Sequence, residues 1–239
     1  MPEWISYDQE PAGAISFDAE LLDEAEFRAA NPVAITVKIS GFEADSNGQP
    51  TDEASDALFA YEQALESALA ENESDLVATV TEPNSFMLLA YAESENAATI
   101  ARAIKCPYPA DVQSEKDPTW AKFEELALRG EELEEARDDE QIAQLEEEGF
   151  EPGEELTIFF ALSFHNEESV ARAAKALELA GYEAPHVEEF NELQAARRIA
   201  LTPEAIKGTR NALLAIIKPF DGNYEGWGVD EDEEDDVPT

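Results

Sequence analysis

Few residues in this sequence could carry chemistry, the main candidates being two histidines and a single cysteine. His165 and His186 could each act as a general base in principle, because imidazole changes charge near neutral pH. Neither has a serine or cysteine nucleophile at a defensible spacing, and the chain contains no HExxH, CxxC or glycine-rich phosphate motif. Cys106 has no histidine near it in sequence, so we expect a half-buried thiol without a catalytic role. We therefore predict that the protein is not an enzyme.

Two further groups of charged residues could bind ions. Arg197 and Arg198 are the only adjacent basic pair and could hold a phosphate or carboxylate, although a local ion pair is favoured in so acidic a chain. The run DEDEEDD, Asp230 to Asp236, could attract Mg²⁺ or Ca²⁺ loosely, but it lacks the central glycine and spacing of a calcium loop. We expect no specific metal site and no cofactor.

Net charge is the extreme property of the chain. It has 56 Asp and Glu against 15 Lys and Arg, a net charge of −41. Direct binding to nucleic acid is disfavoured, because such binding uses Lys and Arg to replace counterions. Basic proteins, by contrast, would be attracted. The alternative interpretation is that the acids only solvate the protein, in a salt-rich cell for example, and composition does not separate the two.

Hydropathy predicts a cytoplasmic protein with no membrane contact. No apolar run approaches the roughly 18 residues that span a bilayer, and MPEWISYDQE lacks the basic start and apolar stretch of a secretory signal. Hydrophobic residues make up 44 % of the chain, enough for packed cores.

In the first half, the pattern predicts elements in the order β-α-β-β-α-β. Alternating apolar residues in VAITVKIS, from Val33 to Ser40, indicate a half-buried strand. A helix capped by Thr51 or Asp52 follows, with apolar residues at three- and four-residue steps. DLVATVT and FMLLAYA read as strands, ENAATIARAIK as a helix and YPADVQ as a last strand, while EWISY and AGAISFD predict an extra hairpin.

The second half repeats this order. LTIFFALSF alternates as a strand, Asn166 caps the next helix and Gly181 ends it. YEAPHVEEF and QAARRIAL are predicted strands, and Thr202 and Pro203 begin the last helix as N-cap and first residue. NYEGWG is the predicted closing strand.

These patterns predict an α+β protein made of two ferredoxin-like (split β-α-β) antiparallel α/β sandwich domains. We place the first domain, the hairpin plus its core, at residues 1–123 and the second at 151–228. Residues 124–150 are predicted to form a solvated acidic linker helix whose like charges hold the domains apart, and residues 229–239 a disordered acidic tail.

The candidate binding residues lie in the second domain and the tail. A split β-α-β sheet leaves one face to water or a partner, and that face should carry Phe159. Tyr224 and Trp227 should pin the closing strand to the sheet, with Gly226 and Gly228 allowing close packing. The tail residues that should attract a basic partner are Asp230, Glu231, Asp232, Glu233, Glu234, Asp235 and Asp236.

Residues 138–239 resemble a known family. The segment QLEEEGFEPGEELTIFFALSFHNEESVARAAKALELAGYEA, followed by YEGWG and an acidic tail, resembles the regulator of ribonuclease E activity B family (RraB). That family has an aromatic-acid-Gly-Trp-Gly ending, which here falls on Tyr224 to Gly228. The resemblance implies a ferredoxin-like fold and a non-enzymatic protein that binds ribonuclease E and restrains RNA cleavage.

The first half resembles a family of unknown function (DUF six-nine-five), which occurs fused to RraB-like domains. The resemblance lies in an early strand with Trp4 and in DPTW, Asp117 to Trp120. It implies no activity.

Three functional hypotheses follow. The leading one is a cytoplasmic regulator that docks on a basic protein partner, ribonuclease E being the candidate, with steering by the tail and the Glu124 to Glu148 run. The second is an acidic mimic of nucleic acid that competes for basic protein grooves. The third is a metal-dependent enzyme of unknown reaction in the first domain. The oligomeric state does not follow from the sequence.

Overall fold

A computed structural model describes residues 3–9, 13–186 and 191–229. The chain divides into two compact units, residues 1–136 and 137–239, which are described separately below. The tail was predicted at residues 229–239, but Val229 is the last residue of a strand, and residues 230–239 lie outside the described residues, as does the end of the predicted strand YEAPHVEEF. The domain boundaries predicted above differ from this division and stay a prediction.

In the first unit, the predicted order β-α-β-β-α-β is observed, with additional elements before and after it. Its elements within the described residues are β1 (Trp4–Gln9), β2 (Gly13–Asp18), a 3₁₀ turn (Ala19–Leu22), α1 (Ala25–Ala30), β3 (Val33–Ser40), α2 (Asp52–Ala70), β4 (Asp75–Glu82), β5 (Ser85–Ala92), α3 (Asn96–Ala103), β6 (Ala110–Lys116) and α4 (Ala121–Glu124). The predicted hairpin is confirmed as β1 and β2, whereas α1 and α4 were not predicted from the sequence.

The second unit contains the same β-α-β-β-α-β order of elements, as predicted. They are β7 (Glu155–Phe164), α6 (Glu167–Leu179), β8 (Glu183–His186), β9 (Glu192–Ala200), α7 (Pro203–Ile217), a 3₁₀ turn (Lys218–Phe220) and β10 (Gly222–Val229). One further helix, α5 (Glu131–Glu148), runs across the boundary at residue 136.

The sheet of the first unit has six strands in the order β1-β2-β4-β5-β3-β6, and all neighbours are antiparallel. The core strand β3 lies between β5 and β6, so the period-two pattern of VAITVKIS belongs to an inner strand. Its residues Ile35, Val37 and Ile39 are almost fully buried. They pack with the apolar stripes of α2 and α3 in one cluster.

The opposite face of this sheet is also covered, which corrects the expectation of an open face in the first domain. Phe17, Val77 and Tyr91 pack there with Trp120 and Phe123, and all five are completely buried. The covering residues lie in short segments without a periodic pattern, so the second layer could not be predicted from local sequence.

The DPTW segment anchors that second layer. The indole of Trp120 stacks on Tyr91 with ring centroids 3.9 Å apart, and its Nε1 donates to the backbone oxygens of Arg28 and Asn31. Asp117 accepts the Tyr91 hydroxyl at 2.6 Å and the backbone N–H of Ala121 at the start of α4. The motif therefore has a structural role here.

The second unit has a four-stranded antiparallel sheet in the order β10-β7-β9-β8. Helices α6 and α7 pack on the face that carries Ile158, Phe160 and Leu162. The predicted caps are confirmed: Asn166 accepts from the backbone of Ser169, and Thr202 accepts from Ala205. Gly181 follows α6 with a φ of +87°, the left-handed conformation that favours glycine.

Helix α5 differs from the solvated linker that the sequence predicted. Leu133 and Ala136 are buried in a cluster of the first unit, and Ile142 and Leu145 are buried in the core of the second. These four residues recur at three- and six-residue steps, which is a helical stripe. The surrounding acids lower the mean hydropathy of the segment and conceal the stripe in the sequence.

Candidate partner-binding surface

A groove lies on the sheet face of the second unit, opposite its helices. Along β7, Phe160 and Leu162 point into the core, while Phe159 and Ala161 alternate onto the other face. Phe159 is partly exposed there, at the position the alternation predicted. The groove measures about 500 Å³ and is lined by Phe159, Ala161, Gln194, Glu225, Gly226, Trp227, Gly228 and Val229.

Small residues on both neighbouring strands shape the groove around the Phe159 ring. In the sheet register, Phe159 lies opposite Ala196 on β9 and Gly228 on β10. Cross-strand partners point to the same face, so neither neighbour carries a side chain long enough to cover the ring. The apolar ring therefore borders open space.

An irregularity in β10 places a carboxylate at one end of the groove. The register with β7 shifts between Tyr224 and Gly226, and Gly226 has a φ of +133°. Such a bulge re-aims the side chains beside it. Glu225, within the bulge, is exposed and accepts a hydrogen bond from the hydroxyl of Ser163.

Trp227 supports the groove from the core side. Its side chain is only 9 % exposed and packs in the hydrophobic core, and its indole N–H donates to Asp138 Oδ1 at 2.9 Å. The guanidinium of Arg210 donates to the other oxygen of the same carboxylate. Asp138 and Arg210 are 4 % and 2 % exposed, so this is a buried network that joins α5, α7 and β10.

A further bond holds the free edge of the sheet. β10 is an edge strand, and Gln141 of α5 donates from Nε2 to the backbone oxygen of Trp227 at 2.7 Å. Edge carbonyls satisfied in this way do not template further strands. Asp138 and Gln141 of α5 therefore both form hydrogen bonds with Trp227 of the GWG sequence. These two bonds hold β10 against the acidic helix.

The structure separates the predicted binding residues. Phe159 and Trp227 line the same groove, whereas Tyr224 packs against the core on the helix side of the sheet. The predicted acids from Asp230 to Asp236 lie outside the described residues. The part of these residues in binding stays a prediction.

Asp138 and Arg210 were missed in the sequence. Asp138 is one of three consecutive acids and nothing distinguishes it locally. Arg210 could have been noticed, because it lies on the apolar stripe of α7 between Ile206 and Leu213. A cation in such a stripe requires a buried partner.

The remaining chemical candidates have ordinary surroundings. Burial raises the pKa of the Cys106 thiol, which disfavours the reactive thiolate. His165 is exposed, and the side chain of His186 lies outside the described part of the structure. Arg198 forms the expected local ion pair, with Glu155 at 3.8 Å, and the Arg197 guanidinium lies 5.3 Å from the centre of the Tyr182 ring.

The described residues show neither a metal-binding cluster nor a membrane-spanning helix. Across 3–9, 13–186 and 191–229, no group of three or more His, Cys, Asp or Glu side chains is arranged to hold a metal ion. None of the helices in these ranges has the length and apolar character needed to cross a bilayer.

With two antiparallel sheets and helices packed on them, the protein is of the α+β class. Residues 5–127, more than half of the chain, match the model of a family described as "Family of unknown function (DUF695)", and the chain belongs to that family. Residues 135–229 match a second family, "Regulator of ribonuclease activity B" (RraB). Both resemblances seen in the sequence are thereby confirmed.

Other comparisons add little. No curated protein matches the chain. A solved structure titled "Crystal Structure of an Unknown Protein from Galdieria sulphuraria" is similar over 80 % of this chain and 95 % of its own, at 9 % identity and a TM-score of 0.21. A likeness at that level carries no argument about fold or function.

Proposed function

We propose that the protein binds a ribonuclease through its second unit and thereby regulates RNA cleavage, without being an enzyme itself. The observation that carries this proposal is the match of residues 135–229 to the family described as a regulator of ribonuclease activity. The matched range coincides closely with the described part of the compact unit that starts at residue 137. The function therefore belongs to a unit with its own core.

The groove around Phe159 is the proposed contact surface. It combines a partly exposed aromatic ring, small neighbours and a carboxylate at one end. Aromatic residues in such surroundings commonly provide most of the binding energy of an interface. The buried support of Trp227 by Asp138 holds the strand that forms one wall of the groove.

We further propose that both units are ferredoxin-like. The strand order β10-β7-β9-β8 and the order β6-β3-β5-β4 within the first unit support this, because each connects a β-α-β-β-α-β run in the same antiparallel arrangement. A cytoplasmic location remains a prediction.

A basic ribonuclease of the ribonuclease E type is the proposed partner. The net charge of −41 supports a basic partner, because exposed charges of opposite sign accelerate encounter. Inhibition is the proposed direction of regulation, as the family resemblance implies. The acids from Asp230 to Asp236 are proposed to contribute steering, while the groove provides specificity.

A cleavage assay tests this proposal. A fluorogenic single-stranded RNA is cleaved by purified ribonuclease E with increasing amounts of the full chain, of Phe159→Asp, or of the control Phe59→Asp. Phe59 is 62 % exposed on α2 of the first unit, so it matches the substitution away from the groove. We expect inhibition by the wild type and the control, and at least tenfold weaker inhibition by Phe159→Asp. Absence of any effect of the wild-type chain on cleavage would refute the proposal.

A further inference from the structure

We propose that the groove of the second unit binds an extended segment of a partner protein in which an apolar side chain lies beside a lysine or arginine residue. This inference deepens the proposed function and rests on it only in taking the ligand to be a protein. It specifies which part of a partner the groove recognises.

The centre of the groove favours an apolar side chain of the partner. The Phe159 ring lies between Ala196 and Gly228, and Ala161 follows on the same face of β7. An aliphatic or aromatic side chain of the partner can lie against the ring in the space that these small residues leave. Burying it there removes apolar surface of both molecules from water.

One end of the groove favours a positively charged partner residue. Glu225 is the only charged residue that lines it among the described residues, and it is exposed. A cation next to the central apolar residue of the partner would lie beside this carboxylate.

Arg198, a cation on the same face of the sheet, does not reverse this preference for a positively charged partner. Arg198 lies two residues beyond Ala196 on β9, and it pairs with Glu155 at the margin of the sheet. No lysine or arginine is among the residues that line the groove in the described structure. A negatively charged or neutral segment would therefore bring no electrostatic gain.

A second copy of this chain is a poor occupant by the same reasoning. Each copy carries a net charge of −41, so face-to-face pairing would oppose two surfaces of the same sign. A basic segment from another protein would be attracted electrostatically to this surface, whereas a second copy would be repelled.

Peptide binding tests the inference without any ribonuclease. Fluorescein-labelled RRLFLRR, RRSGSRR and EELFLEE are titrated with the full chain at physiological ionic strength, and fluorescence anisotropy reports binding. We expect RRLFLRR to bind at least tenfold more tightly than either of the others. Equal binding of RRLFLRR and RRSGSRR would overturn the inference, because charge alone would then account for affinity.

Variants of the chain locate the binding site. Gly228→Val should fill the space beside Phe159, since a Cβ at Gly228 would meet no atom within 4 Å and its φ is not positive. We expect at least tenfold weaker binding of RRLFLRR by Gly228→Val and by Phe159→Ser. Glu225→Gln should weaken binding less and reduce its dependence on salt. The control Phe59→Ser should bind like the wild type.

Three further outcomes would overturn the inference. Unchanged affinity in both Gly228→Val and Phe159→Ser would place binding elsewhere. A concentration-dependent dimer that Phe159→Ser dissociates would make a second copy the occupant. Tighter peptide binding by a chain ending at Val229 would mean that the acidic tail competes for the groove.

The cleavage assay and the peptide-binding assay test the proposed function and the groove inference independently. Peptide recognition without any effect on ribonuclease cleavage would refute the proposed function and leave the specificity of the groove in place. If Gly228→Val regulates the ribonuclease as the wild type does, the groove is refuted as the contact surface, and the regulatory function itself is left in place.

Discussion

At the scale of single residues, the buried carboxylate of Asp138 is the central feature of the second unit. It accepts the indole N–H of Trp227 and pairs with Arg210, and water reaches none of the three freely. Replacing a buried charge pair as a whole can be harmless, but removing one member leaves the other uncompensated. Loss of the Asp138 carboxylate would therefore leave the Arg210 charge and the Trp227 N–H buried without this partner.

Asp138→Ala should destabilise the second unit by about 3–5 kcal/mol, because the Arg210 charge and the Trp227 N–H would stay buried without this acceptor. Urea unfolding gives the free energy, and hydrogen exchange of the β10 amides locates the loss. The matched control is Glu147→Ala, an exposed acid on the same helix, which should change stability by less than about 0.5 kcal/mol. A similar small change for both variants would contradict a buried network.

Asp117 gives a pH-dependent prediction in the first unit. Burial alone would raise the pKa of this carboxyl, but hydrogen bonds from the Tyr91 hydroxyl, from the backbone of Lys122 and Ala121, and from Thr119 outweigh it and lower the pKa. Because the folded-state pKa lies below that of the unfolded chain, the carboxylate stabilises the fold at neutral pH. That contribution disappears as the pH falls through the folded-state pKa.

Asp117→Asn should therefore cost on the order of 2 kcal/mol at pH 7, as expected for hydrogen bonds to a charged group. The difference from wild type should shrink once the pH falls below about 4, the ordinary pKa of an aspartate. Thermal or urea unfolding between pH 7 and pH 3 measures it, with the exposed Asp56→Asn on α2 as control. A difference that is constant over this range would refute the assignment.

At the scale of elements, β10 determines the groove. It begins at a glycine packed against the core, bulges at Glu225, and places Gly228 beside Phe159. Helix α5 satisfies its outer edge through Gln141. One short strand thus contributes the closing edge of the sheet, one wall of the groove and the connection to the acidic tail.

Two glycines of β10 should respond oppositely to substitution. A Cβ at Gly222 would lie 2.5 Å from a ring carbon of Phe164 and 3.0 Å from Ile217 Cβ, both buried residues. Gly222→Ala should destabilise the second unit by about 1–3 kcal/mol through overpacking. Gly228→Ala should be neutral or stabilising by a few tenths of a kcal/mol, because nothing opposes the added methyl group. Equal unfolding midpoints for both variants would contradict the packing described here.

Much of this arrangement could be predicted from the sequence where a local pattern determines it. The alternation in β3 and β7, and the caps at Asn166 and Thr202, depend on neighbouring residues and were predicted correctly. The partly exposed position of Phe159 was also predicted, whereas the predicted close packing at Gly226 and Gly228 was wrong, because a Cβ at either glycine would meet no atom within 4 Å.

What could not be predicted depends on contacts between distant residues. Asp138 is 89 residues from Trp227, and in the sequence it looks like its acidic neighbours. Trp120 lies in a four-residue motif without periodicity, yet it fills the second layer of the first unit by stacking on Tyr91. Local patterns carry no information about such pairs.

At the scale of the whole molecule, charge is the dominant property. A net charge of −41 in 239 residues produces a field that extends beyond the contact surface. Such a field changes how fast a basic partner arrives more than how long it stays. The groove, by contrast, should determine the dissociation rate.

This division of roles predicts a kinetic separation. Raising the ionic strength from roughly 20 to 300 mM should slow association with ribonuclease E at least tenfold, because the Debye length shortens. Phe159→Ser should instead speed dissociation and leave the association rate nearly unchanged. Stopped-flow fluorescence measures both. An association rate that is indifferent to salt would refute electrostatic steering.

The central claim, that the second unit binds a ribonuclease through the groove, is tested most directly by isothermal titration calorimetry of the full chain into purified ribonuclease E at physiological ionic strength. We predict a saturable complex that Phe159→Asp weakens at least tenfold and that Phe59→Asp leaves unchanged. No measurable binding by the wild-type chain, or equal binding by both variants, would contradict the claim.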